Sequence, residues 1–146
     1  RQVTGVQTCA LPILYKKSYT GFVIWLIGFC VFTVGACFLP NLSTQLTLAV
    51  VDNACTIGIF ILTFLIYQTE YVYWYNGTSY EEAKAAGSER RKAFALAHMK
   101  RFAYFALAFL AYTVMSLMLG IPYGFDIVIA CVGILIAALS TLKIKL

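Results

Sequence analysis

Four apolar stretches, each long enough to cross a lipid bilayer, dominate this chain of 146 residues. They cover residues 20–39, 46–67, 102–119 and 125–142. A helix needs about 20 mainly apolar residues to cross the hydrocarbon core, and in lipid a helix satisfies its own backbone hydrogen bonds. The composition is 62% hydrophobic and 12% charged, which is too apolar for an ordinary soluble domain. The sequence therefore predicts an all-α integral membrane protein.

The basic residues predict how these spans are oriented. Lys16 and Lys17 precede the first span, Lys143 and Lys145 follow the fourth, and most others lie between spans two and three. The links at residues 40–45 and 120–124 contain no Lys or Arg. By the positive-inside rule, we expect a four-helix bundle of two transmembrane hairpins in a cell (inner) membrane. Both termini and the loop at residues 68–101 are then cytoplasmic.

The cytoplasmic loop has its own local signals. Its first third is rich in Tyr and Trp, which is typical of a belt at the lipid headgroups. Ser79 and Glu82 have the spacing of a capping box, which predicts a short helix that ends near Gly87. A second start at Ser88 predicts a cytoplasmic extension of the third span.

Five basic residues of this loop are candidates for contact with anionic lipid headgroups: Arg90, Arg91, Lys92, Lys100 and Arg101. The alternative is that they only set the topology. No basic stripe interleaved with aromatic residues is present, so nucleic-acid binding is not expected. The lipid bilayer is the expected partner.

Ionisable residues inside a span are costly and indicate a possible function. Asp52, with its neighbour Asn53, lies in the second span, and Asp126 lies at the start of the fourth. Asp52 could be a proton or cation site, or a structural residue bonded to Thr33, Asn53 or Tyr112. Asp126 is close enough to the interface to be a hydrated helix cap.

Small residues recur at helical spacing in three of the spans. Such faces let helices approach closely in lipid, and they predict either a compact bundle or a homo-oligomer. The residues are Gly21, Gly28 and Gly35 in span one, Ala54 and Gly58 in span two, and Gly133 and Ala137 in span four.

Signatures of enzymes, metal sites and cofactor sites were sought and not found in the sequence. No nucleophile elbow, phosphate-binding glycine loop or paired-acid constellation is present. His98 is the only histidine, and we expect it to be an interfacial side chain. The cysteines form no CxxC motif, and a disulfide of Cys37 with Cys55 or Cys131 is the one pairing left open.

Two segments resemble known sequences. YNGTSYEEAKAAGSERRKAF, between spans two and three, resembles the loop of small bacterial multi-pass membrane proteins of unknown function. Residues 3–13, VTGVQTCALPI, resemble the in-frame translation of a sequencing-library adapter. That resemblance implies that residues 1–13 are a non-native artefact with few contacts, and that the native chain starts at or before Leu14. Residues 14–146 would then form a single four-span domain.

Two functions fit these observations. The first is a non-enzymatic structural or accessory membrane protein that self-associates through its small-residue faces. The alternative is a small transporter or channel subunit that uses Asp52 as an intramembrane proton or cation site. The two differ in what they require of Asp52, because only the second requires that its carboxyl titrates.

Overall fold

The computed structural model describes residues 15–146 except Asn41 and Asn76. Four α-helices are present: α1 (Thr20–Ala36), α2 (Thr44–Thr69), α3 (Tyr80–Leu119) and α4 (Tyr123–Thr141), with a 3-10 turn at Val72–Trp74. The prediction of an all-α fold is confirmed. The expectation that residues 1–13 are an artefact lies outside the described residues.

Three of the helices, α2, α3 and α4, are long and apolar enough to cross a membrane. Helix α1 is apolar but has 17 residues, and it ends before the predicted limit of residue 39. The N–H groups of Cys37 and Phe38 donate to the carbonyls three residues earlier, which tightens the chain ahead of Pro40. At the start of α2, the Ser43 hydroxyl accepts a hydrogen bond from the Leu46 N–H at 3.2 Å, so this helix begins before residue 46.

Helix α3 is bent at Gly87, whose φ of 77° lies outside the helical range. The capping box at its start is confirmed, since Ser79 and Glu82 bond reciprocally through side chain and backbone. A residue with positive φ ends a helical segment readily when it is glycine. The predicted short helix and the predicted extension of the third span are therefore the two parts of α3.

Helix α2 is central, in contact with α1, α3 and α4, and α3 and α4 also pack against each other. The principal helix partner of α1 is α2. The architecture is thus a three-helix bundle of α2, α3 and α4, with α1 lying along one side of α2. Cys37, Cys55 and Cys131 are free thiols, so the disulfide left open by the sequence is not formed.

The small residues fall into two groups. Phe29 of α1 lies over Gly58, where an added Cβ would be 2.6 Å from its ring, and Phe105 of α3 lies over Gly133 in the same way. Ala137 is buried. By contrast, an added Cβ at Gly28 or Gly35 would meet nothing within 4 Å. Close approach between helices accounts for the first group and leaves Gly28 and Gly35 open, whereas an added Cβ at Gly21 would be 3.0 Å from the Trp74 ring.

The aromatic residues before α3 form a packed layer, and the prediction of a lipid-facing belt is wrong for its central members. Val72 and Tyr73 are buried with Ile66, Ala83 and Phe94. The Tyr73 hydroxyl accepts from the Ser18 N–H and donates to the Ser18 carbonyl, both at 2.7 Å. Because these bonds satisfy its polar end, Tyr73 can be buried at little energetic cost.

Candidate functional site

Asp126 is buried inside the bundle, with 2% of its surface exposed. The Ser116 hydroxyl of α3 donates a hydrogen bond of 2.7 Å to Asp126 Oδ1. The prediction of a hydrated cap is therefore wrong. The residue lies in the first turn of α4, as expected, but α3 packs over it and excludes water.

Asp52 of α2 is half-buried, and α2 packs against α4, the helix that carries Asp126. The Oδ2 atom of Asp52 is buried and has no hydrogen-bond partner among the described residues. The hydrogen bonds of the described chain join Asp52 to none of the predicted partners, which were Thr33, Asn53 and Tyr112. Two helices that pack against each other thus each carry an acidic side chain with a buried carboxyl oxygen.

Asn53 joins α2 to α3. Its amide nitrogen donates to the Ala49 carbonyl at 2.8 Å and to the Thr113 hydroxyl at 3.0 Å. Its Oδ1 atom is buried without a partner. Two of the residues singled out in the sequence, Asn53 and Asp126, therefore bond to Thr113 and Ser116 of α3, which sequence reasoning missed. Thr113 and Ser116 are three residues apart, so both hydroxyls lie on one face of α3. This spacing was the one sign of them in the sequence.

We call Asp52, Asn53, Thr113, Ser116 and Asp126 the carboxyl cluster, because it contains two acidic side chains. Two carboxylates that share a site of low dielectric constant are not both ionised, because the mutual repulsion is not screened by water. Within the described residues, no group of three or more His, Cys, Asp or Glu could hold a metal ion. A proton shared by two carboxyls requires no third ligand.

Arg91 is buried, and the prediction that it contacts lipid headgroups is wrong. Its Nε and Nη2 atoms donate to Glu70 Oε2 at 3.1 and 2.8 Å, and Nη1 donates to the Ala83 carbonyl at 3.1 Å. The guanidinium also lies 4.2 Å from the centre of the Tyr15 ring. Each nitrogen of the guanidinium therefore donates to an acceptor inside the protein.

The other predicted lipid contacts remain near the surface. Lys92 is exposed, although its Nζ lies 3.5 Å from Glu70 Oε1. Arg90, Lys100 and Arg101 are exposed, and Arg90 donates a hydrogen bond of 2.9 Å to the backbone oxygen of Leu146. Unlike Arg91, these four side chains are exposed and can contact an anionic partner.

Glu70 connects the ends of α2 and α3, and sequence reasoning missed it. It adopts a left-handed conformation, with φ of 60°, directly after the last residue of α2. Its carboxylate accepts from Ser88 at 2.7 Å and from Arg91. Burial raises the pKa of Glu70, but the hydrogen bonds from Ser88 and Arg91 lower it by more, so the net pKa lies below the usual value.

His98 is also buried, and the prediction of an interfacial side chain is wrong. Its ring stacks on Tyr75 and contacts Phe94, with ring centres 4.3 Å apart in each pair. Burial lowers the pKa of His98, and a hydrogen bond to the Phe94 carbonyl offsets only part of the effect. His98 is therefore a neutral imidazole at neutral pH.

Comparison of the chain with protein-family models, with curated proteins and with solved structures finds no match in any of the three. The function is therefore argued from the chemistry of the residues themselves.

Proposed function

We propose that this protein is an integral membrane protein that binds and releases a proton at the Asp52–Asp126 pair, as a small proton-coupled transporter or channel subunit. The observation that carries the proposal is the burial of two carboxyl groups, that of Asp126 and the Oδ2 atom of Asp52, on helices that pack against each other. A carboxyl inside a membrane span is costly, up to about 2.5–3.5 kcal/mol at the helix centre and less towards its ends. Two of them in mutual repulsion are poorly suited to a purely structural role.

The neutral polar contact nearby supports this distinction. Asn53 and Thr113 already join α2 to α3 by an amide–hydroxyl hydrogen bond. A structural link between α3 and α4 could use the same neutral chemistry. Asp126 adds a group that can exchange a proton, and Asp52 adds a second oxygen acceptor without a partner. The pair can therefore exist in two protonation states that differ in helix–helix repulsion.

The membrane arrangement belongs to the same proposal. With α1 as a fourth span and both termini cytoplasmic, the link between α3 and α4 lies on the outer face of a cell (inner) membrane. Asp126 lies in the first turn after that link. The pair is then near the outer surface, so protons would reach it from outside and leave through the bundle.

Proton flux in proteoliposomes tests the proposal. An internal pH-sensitive dye reports flux under an imposed pH gradient for the wild type, Asp52→Asn and Asp126→Asn. Glu81→Gln is the control, because Glu81 is an exposed acid in the first turn of α3. We expect both Asp variants to lose at least about tenfold in flux, the size of effect typical of a residue that relays protons. Equal flux in all four proteins, with unchanged helix content, would overturn the proposal.

A second candidate function is self-association as a structural or accessory protein. It is favoured by the open face of α1, since Gly28 and Gly35 have no neighbour at the Cβ position. Gly28 and Ala54 also line a groove of about 550 Å³ between α1 and α2. A small-residue face of this kind would admit α1 of a second copy at close range. The two functions are compatible, because an oligomer can carry one proton site in each subunit.

A further inference from the structure

A cavity of about 640 Å³ opens at the end of the molecule that carries the long loop. Two parts of the chain that are distant in sequence enclose it: residues 77–98, which include the first part of α3, and residues 141–146 at and after the end of α4. The volume falls within the range of about 300–1,000 Å³ that small-molecule sites occupy. The carboxyl cluster described above contributes no residue to this cavity.

Two cations lie among the residues that line the cavity, Arg90 from α3 and Lys145 from the segment after α4. Both are exposed. Arg90 uses one N–H for the backbone oxygen of Leu146, and a guanidinium has five such donors. The one carboxylate side chain in the lining belongs to Glu82, whose Oε2 accepts two hydrogen bonds from Ser79, at 2.7 and 2.9 Å. The free cationic donors therefore favour an anion.

Part of the cavity lining is apolar or neutral. Phe94, Leu142 and Ile144 line it together with His98. His98 Nδ1 lies 2.9 Å from the Phe94 carbonyl. Because a carbonyl oxygen only accepts, Nδ1 carries the proton and Nε2 is the acceptor of the neutral ring. The lining thus combines two cations with apolar side chains and one neutral hydrogen-bond acceptor.

The position of the cavity narrows the choice of ligand. It lies where α4 ends at Thr141, and beside the part of α3 that precedes the apolar residues 102–119. In a membrane, that level is occupied by phosphate headgroups. We infer that the cavity binds a phosphate-bearing anion, with Arg90 and Lys145 on the phosphate and Phe94, Leu142 and Ile144 on the apolar part of an anionic lipid. The Arg90 guanidinium can donate two parallel hydrogen bonds to a phosphate, and the Lys145 ammonium adds a second positive charge.

Binding of labelled phosphatidylglycerol to the full chain in detergent tests this inference. The double variant Arg90→Gln/Lys145→Gln removes both cations. The matched control is Lys84→Gln/Lys143→Gln, which removes two exposed cations that do not line the cavity. We expect the first variant to weaken binding about thirty-fold, from the contribution typical of two cations near anionic lipid. The control should change binding less than about threefold. Equal effects in the two double variants would overturn the inference.

A variant that fills the cavity without altering charge provides the second arm. Ala85 lies in the cavity wall and is exposed, so Ala85→Trp can be accommodated by the fold. We expect it to weaken binding at least tenfold, and undiminished binding would count against the cavity as the site even if the double variant fails to fold.

Competition then identifies the source of the phosphate. Competition by phosphatidylglycerol alone assigns a lipid, equal competition by glycerol phosphate assigns a soluble phosphate ester, and equal competition by phosphatidylcholine overturns the preference for an anion.

Discussion

The Ser116 hydroxyl donates a hydrogen bond of 2.7 Å to Asp126 Oδ1, which joins α3 to α4 inside the bundle. Both residues are buried, with 0% and 2% of their surface exposed. A hydroxyl can donate to either protonation state of a carboxyl. Ser116 therefore holds the Asp126 carboxyl in place in either protonation state.

Replacement of Ser116 by Ala should destabilise the protein by about 1–3 kcal/mol, because it leaves a buried acceptor without its donor. Ser116→Thr keeps the hydroxyl and should lose less. Ser140→Ala is the control, since the Ser140 hydroxyl donates to a carbonyl of its own helix. Unfolding in a denaturing detergent, followed by circular dichroism, measures the differences. Equal stability of the Ser116→Ala and Ser140→Ala variants would show that the bond between α3 and α4 contributes nothing.

Glu70 should make the folded state sensitive to acid. Its pKa in the folded protein lies below the ordinary value of 4.5, so the ion pair with Arg91 stabilises the fold fully above that pH. The stabilisation is lost as the pH falls from 4.5 through the lower folded pKa. We expect Glu70→Gln to cost about 2–3 kcal/mol at pH 7, since Arg91 loses its charged partner, and to remove this acid dependence.

Unfolding of wild type, Glu70→Gln and Glu89→Gln between pH 7 and 3 measures this effect. Glu89 is exposed and has no ion pair among the described residues, so its variant should follow the wild type. An acid dependence that is the same in all three proteins would contradict the assignment to Glu70.

Much of the fold follows from patterns that are local in sequence. The capping box at Ser79, the end of a helical segment at Gly87 and the apolar stretches each depend on residues within a few positions of one another. The arrangement of the polar residues does not. Asp126 at the start of a helix has the sequence context of a hydrated cap, and only the packing of α3 over it makes it a buried acid.

Which of the basic residues are buried could not be predicted from the sequence either. Arg90 and Arg91 are adjacent in a basic run, yet one is exposed and the other is buried against Glu70. Their side chains point about 100° apart on a helix, so neighbours in sequence meet different surroundings. The partner that decides the outcome, Glu70, is distant in sequence and belongs to α2's end.

The two classes of glycine should respond differently to a large side chain. Gly133→Leu should destabilise the bundle by about 1–3 kcal/mol, because Phe105 occupies the space that the new side chain needs. Gly28→Leu should leave stability within about 0.5 kcal/mol, because nothing lies near that position. Detergent unfolding measures both. The account of helix packing would be wrong if Gly28→Leu were the more damaging change.

Reporter fusions test the proposed orientation. A phosphatase that is active only outside the cytoplasm should be silent when fused after Gly87 and active when fused after Pro122, which precedes α4. The reason is the placement of the basic residues on the loop side. A cytoplasm-specific reporter at the same two positions is the control and should give the opposite pattern. Phosphatase activity after Gly87 would reverse the orientation and the side from which protons reach Asp126.

The protonation state of the Asp52–Asp126 pair is the most direct test of the central claim. Infrared difference spectroscopy of the protein in lipid at pH 7 detects the carbonyl stretch of a protonated carboxyl, and titration to higher pH should remove it. We predict a protonated carboxyl band in the wild type, altered in Asp52→Asn and in Asp126→Asn and unchanged in Glu81→Gln. A wild-type spectrum at pH 7 without such a band, or with one that both Asp variants retain unaltered, would contradict the account.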